Sequence, residues 1–189
     1  MKVLVTGGCG FIGSHLTEKL LNEGFDVRIM GLECDLENVK HLLPTRHLQF
    51  YRGDIRNLKA CKKAVKGCDI VSHLAALIKI KPGVKEPGSF WEVNVDGTAN
   101  ILQASLKAKV KRFHYASSCE IYGNIPYSLK ADERYPLSIR SFPYGASKQV
   151  AEAYCRNYAV TYGLPLVITR AFNVFGPRQS PNARGAAIA

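Results

Sequence analysis

The chain has 189 residues, of which 47% are hydrophobic and 22% charged, and a formal net charge of +11. That balance suits one domain with a full apolar core and excludes fibrous and low-complexity classes. No apolar run reaches the ~20 residues of a membrane span, and Met1 to Thr6 enters a strand rather than the long apolar segment of a signal peptide; a cytoplasmic location is expected.

The elements alternate from the start. Lys2 to Thr6 is an apolar, β-branched run, followed by a glycine-rich turn. Phe11 to Asn22 has helical spacing, with Ile12, Leu16 and Leu20 on one face and Gly24 as a stop. Asp26 to Met30 and His47 to Tyr51 read as strands, Asn57 to Lys66 as a helix and Asp69 to Leu74 as a fourth strand. Ser89 to Ala108 reads as one long helix, Arg112 to Ala116 as a strand, Tyr144 to Tyr162 as a second long helix and Leu166 to Thr169 as a sixth strand. Such alternation predicts a Rossmann-type α/β fold, a doubly wound parallel sheet with helices on both faces and strand order 3-2-1-4-5-6.

Basic residues are scattered, at Lys62-Lys63, Lys79 to Lys85, Lys107 to Arg112, Arg178 and Arg184. They form no nucleic-acid motif, and the charge is better spent on solvation and on attracting an anionic substrate. The six cysteines (Cys9, Cys34, Cys61, Cys68, Cys119, Cys155) contain no C-x-x-C spacing, so reduced thiols are expected, with neither a disulfide framework nor a zinc site.

The turn Gly7-Gly8-Cys9-Gly10-Phe11-Ile12-Gly13 holds G-x-G-x-x-G at Gly8, Gly10 and Gly13, and G-x-x-G-x-x-G at Gly7, Gly10 and Gly13. It closes a strand and opens a helix, the context in which the pattern carries meaning. Glycines permit the tight turn and close approach of a pyrophosphate, while the helix N-terminus offers unpaired N–H groups to the phosphates. A dinucleotide is therefore expected. After the second strand the nearest acids are Glu33 and Asp35, and no arginine follows to receive a 2′-phosphate, which favours NAD.

Further motifs follow in order: Gly53-Asp54-Ile55-Arg56, His73-Leu74-Ala75-Ala76, Asn94-Val95-Asp96-Gly97-Thr98, Ser117-Ser118-Cys119-Glu120-Ile121-Tyr122-Gly123, Tyr144-Gly145-Ala146-Ser147-Lys148, and Arg170 to Arg178. Together with the glycine turn they resemble the extended short-chain dehydrogenase/reductase family, in particular its NAD-dependent nucleotide-sugar epimerases and dehydratases, from Met1 to about Gln179. Tyr144 and Lys148, four apart, share a helix face. The resemblance implies Tyr144 as acid–base group, with Lys148 beside it favouring the phenolate and holding the nicotinamide ribose, and Ser118 binding the reacting sugar hydroxyl.

The resemblance also implies cofactor contacts at Gly7, Gly10, Phe11, Ile12, Gly13, Asp54 and Ile55 (adenine), Ala75, Ala76, Asn94, Ser117 and Phe172. Asn173 would reach a substrate phosphate. Glu120 falls where the related dehydratases and decarboxylases carry a catalytic or substrate-binding glutamate, but Cys119 stands where dehydratases place their acid. Family members run past ~300 residues, with a substrate domain in the last third; residues 1–179 therefore read as the NAD-binding domain and 180–189 as the start of a truncated or missing substrate domain. The implied function is C4 epimerisation of a UDP- or dTDP-sugar. The alternatives are dehydration or decarboxylation, and a non-catalytic dinucleotide-binding module, which an intact Ser118, Tyr144 and Lys148 disfavours. A homodimer through the two long helices is expected.

Overall fold

The computed structural model describes residues 1–32, 36–78, 88–126, 128–138 and 143–179. Six strands form one parallel sheet in the order β3-β2-β1-β4-β5-β6. They are β1 (Lys2–Thr6), β2 (Asp26–Gly31), β3 (Leu48–Arg52), β4 (Ile70–His73), β5 (Arg112–Ser118) and β6 (Leu166–Ala171). Between them run α1 (Phe11–Asn22), α2 (Leu58–Val65), α3 (Gly97–Ala108) and α4 (Pro143–Tyr162). The chain winds outward from β1 in one direction and then, from β4, in the other, which opens a crevice at the carboxyl ends of β1 and β4. Among the described residues no helix is long and apolar enough to cross a membrane.

The period-2 alternation of β1 assigns its side chains to two cores. Val3 and Val5 join Val27 and Ile29 of β2 beneath Leu16, Leu20 and Leu21 of α1. Leu4, on the opposite face, joins Met30, Val71, Ile101, Leu102, Phe113 and Ala151 between the sheet and α2, α3 and α4. A central parallel strand is buried on both faces, which is why Val3, Leu4 and Val5 are apolar without interruption.

Most boundaries shift by a residue from the expectation, and three elements differ by more. β5 and β6 each extend two residues further, because Ser117 pairs with Arg170 and Ser118 with Ala171. The long helix expected from Ser89 is not uniform: Trp91–Asp96 is a π-helical turn, closed by Gly97 N–H donating to Glu92 O, and α-helix begins only at Gly97. Such a turn inserts one extra residue and rotates everything before it about the helix axis. The acids Glu33 and Asp35, the basic stretch Lys79 to Lys85 and the segment 180–189 lie outside the described residues.

Leu4 is fully buried at the centre of the larger core. Leu4→Ala is expected to destabilise the fold by about 2–5 kcal/mol, whereas Val160→Ala, on a side chain 88% exposed, should change stability by less than ~0.5 kcal/mol. Urea unfolding monitored by circular dichroism checks both.

Candidate functional site

The glycine turn lies at the carboxyl end of β1, beside that of β4. Gly7 has φ +71°, and a β-carbon there would sit 3.0 Å from Ala75 N, so the turn and the segment after β4 touch backbone to backbone. Gly13 is tighter still: its β-carbon would collide with Gly7 O and with Gly8 Cα. Gly10 differs, since a β-carbon there would meet only Gly7 O, at 3.2 Å, and otherwise face open space. Gly10 is also the N-cap of α1, with no side-chain cap and no acid in the first turn. The N–H groups of that turn therefore point, uncompensated, into the crevice. Phe11 is partly buried and Ile12 exposed at the same helix start. Cys9 is disulfide-bonded, which corrects the expectation of reduced thiols at that position; Cys61, Cys68 and Cys155 are free.

The second half of the site is built where β5 ends. Ser117 and Ser118 are its buried last residues, and Ser118 Oγ accepts from Glu120 N–H at 3.2 Å, capping a single 3₁₀ turn over Cys119–Tyr122. Gly145 lets α4 approach that turn: a β-carbon there would stand 3.2 Å from Glu120 O. Tyr144, half-buried with its ring edge-on to Phe90, is thereby brought to Ser118 and Glu120. Burial raises the Tyr144 pKa, a hydrogen bond with the Ser118 side chain opposes the rise, and the Glu120 carboxylate adds to it.

One turn along α4, Lys148 is 3% exposed. Its ammonium donates to Ala116 O at 2.5 Å and lies 4.5 Å above the centre of the Tyr115 ring. Burial lowers its pKa to about 8, against the smaller upward pull of Cys155 and Glu152. Burial is the largest influence on both groups and disfavours the charged form of each; the expected phenolate rests on the ammonium together with the positive nicotinamide ring of a bound cofactor.

The remaining expected residues line the crevice unevenly. Ala75 and Ala76 follow β4 after Leu74, and Ala75 N–H donates to Thr6 Oγ1. Asp54 accepts from Arg56 through backbone N–H and guanidinium, and those bonds hold its carboxyl below the ordinary range despite partial burial. Ile55 buries its side chain in the core against Gly97, and its carbonyl accepts from Cys61 Sγ and Asn100 Nδ2. Asn94, 1% exposed, is held by the protein itself: its amide pairs with Leu77 N–H and C=O and donates to Ser147 Oγ. Phe172 is exposed and lies nearly parallel to Tyr122, and Asn173 is exposed beside it.

Two features escaped the sequence reading. Glu152, one turn beyond Lys148 and 1% exposed, accepts from Arg170 of β6 and from Arg156. Burial raises the Glu152 pKa, but these guanidinium bonds outweigh it and hold the carboxyl below its ordinary value. Arg170 also donates to the Tyr122 hydroxyl at 2.9 Å and to Glu133 O at 3.0 Å. A glutamate on the buried face of a helix, at i+4 from the lysine, was the available signal. The second feature is the segment after β6. Pro177 O accepts from His15, and Arg178 pairs with Glu18, so the segment ends on α1. From β6 to β1 there are three strand spacings, about 14 Å, which the residues after Ala171 span easily. The segment therefore crosses the carboxyl ends of β5 and β4.

Comparison with known proteins identifies this architecture. Residues 3–189 match the model of the NAD dependent epimerase/dehydratase family. A putative UDP-glucose 4-epimerase of Methanocaldococcus jannaschii is 37% identical over 188 residues, covering 98% of this chain and 60% of that protein. The Thermus thermophilus UDP-glucose 4-epimerase in complex with NAD superposes with a TM-score of 0.86 at 38% identity, covering 98% of this chain and 59% of that one. A dTDP-glucose 4,6-dehydratase from Streptomyces venezuelae with NAD bound superposes with a TM-score of 0.89 at 35% identity, covering 97% of this chain and 59% of that one. The chain spans about 60% of the length of the curated relative it matches.

The buried lysine has a thermodynamic signature. Its folded pKa of about 8 lies below the ordinary 10.5, so between those values the unfolded chain binds more protons than the folded one and stability rises with pH. The full difference is on the order of 3 kcal/mol. Lys148→Met should remove that contribution while leaving in place the opposing titrations of the buried cysteines and tyrosines, whose raised folded pKa values lower stability as pH rises. Urea unfolding of both proteins from pH 7 to 10.5 measures it; parallel curves would show that Lys148 titrates normally.

Proposed function

The chain belongs to the NAD-dependent epimerase/dehydratase family, and from that premise we propose that it binds NAD and performs the acid–base chemistry of a nucleotide-sugar 4-epimerase. The observation that carries the reading is the convergence of Ser118, Glu120 and Tyr144 at the end of β5, with Lys148 one turn along the same helix. That set has the composition of a site that moves a proton on a sugar hydroxyl.

The residues present fit the cofactor. Gly10 presents an open cradle at an uncapped helix start, suited to a pyrophosphate. Gly7, Phe11, Ile12 and Gly13 shape that cradle, Asp54 and the Ile55 backbone are assigned to the adenine, and Ala75, Ala76, Asn94, Ser117 and Phe172 border the path to Tyr144. Lys148 is assigned to the nicotinamide ribose. When bound, NAD⁺ would supply reversible hydride acceptance for the carbon that bears the sugar C4 hydroxyl. Tyr144 takes the C4 hydroxyl proton and later gives it back, and Ser118 fixes that hydroxyl against it. Burial disfavours the Tyr144 phenolate, so positive charge close to the ring is what the tyrosine needs to act as a base. Asn173 is assigned to a substrate phosphate, and the +11 charge draws the anionic substrate in.

Dehydration or decarboxylation is the second reading, favoured by the Glu120 carboxylate close enough to Tyr144 to shift it. It is opposed by Cys119 where a dehydratase acid would stand. The free, buried thiols at Cys61, Cys68 and Cys155 favour a cytoplasmic placement, and the disulfide at Cys9 counts against it.

We also assign a homodimer. Trp91, Val150 and Tyr154 are exposed along an apolar groove of about 620 Å³ between the π-turn and α4, more apolar surface than a monomer's helices need. A second copy presenting the same helices fits it, since twofold interfaces are self-complementary. Light scattering should return twice the chain mass, and Tyr154→Glu should shift it towards the monomer; a monomer at micromolar concentration in the parent would refute the assignment.

Tyr144→Phe should bind NAD⁺ as the parent does and lose about 10²–10⁴-fold in turnover, since the ring volume is kept and only the hydroxyl is lost. Gly10→Val should remain folded and lose NAD⁺ affinity by calorimetry, because its side chain would fill the cradle. A panel of UDP- and dTDP-sugars followed by NMR separates epimer from dehydrated or decarboxylated product. Full activity in the Tyr144→Phe protein would overturn the catalytic assignment.

A further inference from the structure

Between the two halves of the site runs a buried line of side chains that the catalytic assignment does not use. Thr6 Oγ1 lies 2.6 Å from His73 Nδ1, and His73 Nε2 lies 3.0 Å from Thr98 Oγ1. Thr6 Oγ1 accepts from Ala75 N–H at 3.1 Å, and Thr98 Oγ1 donates to Asn94 O at 2.6 Å. His73 is 1% exposed and rests against the rings of Phe113 and Tyr115.

The two ends of this line have no freedom. A backbone N–H can only donate and a backbone carbonyl can only accept. Thr98 therefore spends its single proton on Asn94 O and must accept from His73 Nε2–H. A proton on Nδ1 as well would displace the Thr6 hydroxyl proton from its acceptor. The chain closes with every proton used only if Nδ1 is bare and accepts from Thr6. Burial works in the same direction, pushing the imidazole down to about 3, with Lys148 and His114 adding to it.

Each end reaches a functional element. On one side Thr6 holds Ala75, the residue against which Gly7 is pressed. On the other, Asn94 sits in the π-helical turn and donates to Ser147 Oγ at 2.9 Å, which donates to Tyr144 O at 2.8 Å. We propose that His73 is a positioning residue, a neutral imidazole protonated at Nε2 that ties the cofactor cradle at Gly7 and Ala75 to the catalytic helix at Tyr144 through a directional hydrogen-bond chain from Ala75 N–H to Asn94 O, continued from the Asn94 side chain through Ser147. The assignment of its two ends to cofactor and catalysis rests on the proposed NAD-dependent function; the chain itself does not.

The two arms can be cut separately. His73→Asn places an amide oxygen near the Nδ1 position and keeps the Thr6 arm, but reaches no further. His73→Gln carries an amide nitrogen out to the Nε2 position and keeps the Thr98 arm, but loses the acceptor for Thr6. His73→Gln should weaken NAD⁺ by about tenfold in calorimetry, the factor one buried hydrogen bond is worth, with His73→Asn nearer the parent. His73→Asn should speed amide exchange at residues 144–148 and lower kcat more than it raises KM, with His73→Gln nearer the parent. Equal losses in both variants would reduce His73 to a space-filling role and overturn the proposal. The ¹⁵N shifts of His73 in the unaltered protein give a test that needs no variant to fold: a fixed Nε2–H tautomer from pH 5 to 9 is expected, and a titrating or Nδ1-protonated ring overturns the chain. Failure of the parent to bind NAD⁺, with the tautomer fixed and the exchange pattern as expected, would instead sink the proposed function and leave the chain standing.

Discussion

A β-carbon on Gly7 would lie 3.0 Å from Ala75 N, and one on Gly13 would strike Gly7 O and Gly8 Cα. These approaches let β1 and β4 run side by side to their carboxyl ends and then part in opposite directions without a side chain between them. The crevice opens where they part. Its floor is backbone, and its nearest helix start is uncapped, so its chemistry is that of amide N–H groups rather than of side chains. Everything that reacts must then be brought to the crevice from the other half of the sheet, by the end of β5 and the start of α4.

Much of this was legible in the chain. Strand order followed from alternation together with the dinucleotide-type glycine turn after β1, since right-handed crossovers wound both ways from that strand give the Rossmann order. The glycine turn and the pair Tyr144 and Lys148 were legible because their spacing encodes their geometry, glycines at a strand-to-helix turn and two residues four apart on one helix, whereas Ser118 was singled out by the family resemblance. What was not legible depends on contacts between distant segments. Trp91–Asp96 has no local feature that separates π from α; the turn is fixed by Asn94 gripping Leu77 on one side and Ser147 on the other. His73 reads locally as a polar interruption near a strand end, and only the proximity of Thr6 and Thr98, 67 and 25 residues away, gives it partners. Ile55 was placed at the adenine by its motif, yet Gly97 opens room for its side chain in the core.

The electrostatics of α4 show how the site tolerates its own strain. Lys148 is a buried ammonium with a backbone carbonyl and a ring face as its nearest partners, a poor exchange for water. Glu152, one turn on, offers negative charge, but it is already engaged by Arg170 and Arg156. The carboxylate therefore stays ionised and restrains the loss of charge at Lys148 without forming an ion pair with it. A direct pair would fix the ammonium in place of the groups it is assigned to bind. Buried ion pairs are weak sources of net stability, so the Glu152–Arg170 pair is better understood as a tether between α4 and β6.

That tether also sets where the chain goes next. Arg170 is the penultimate residue of β6, and its guanidinium is held by Glu152, by the Tyr122 hydroxyl and by Glu133 O. With Arg170 fixed, Phe172 leaves the strand stacked on Tyr122, and the following residues must cross the crevice to reach His15 and Glu18 of α1. The same helix thus carries Tyr144 and Lys148 and, through Glu152 and Arg170, anchors the strand end from which the segment to α1 departs. Movement of β6 relative to α4 would displace both surfaces together. The buried charges, costly as a stability device, keep the two walls of the crevice in register.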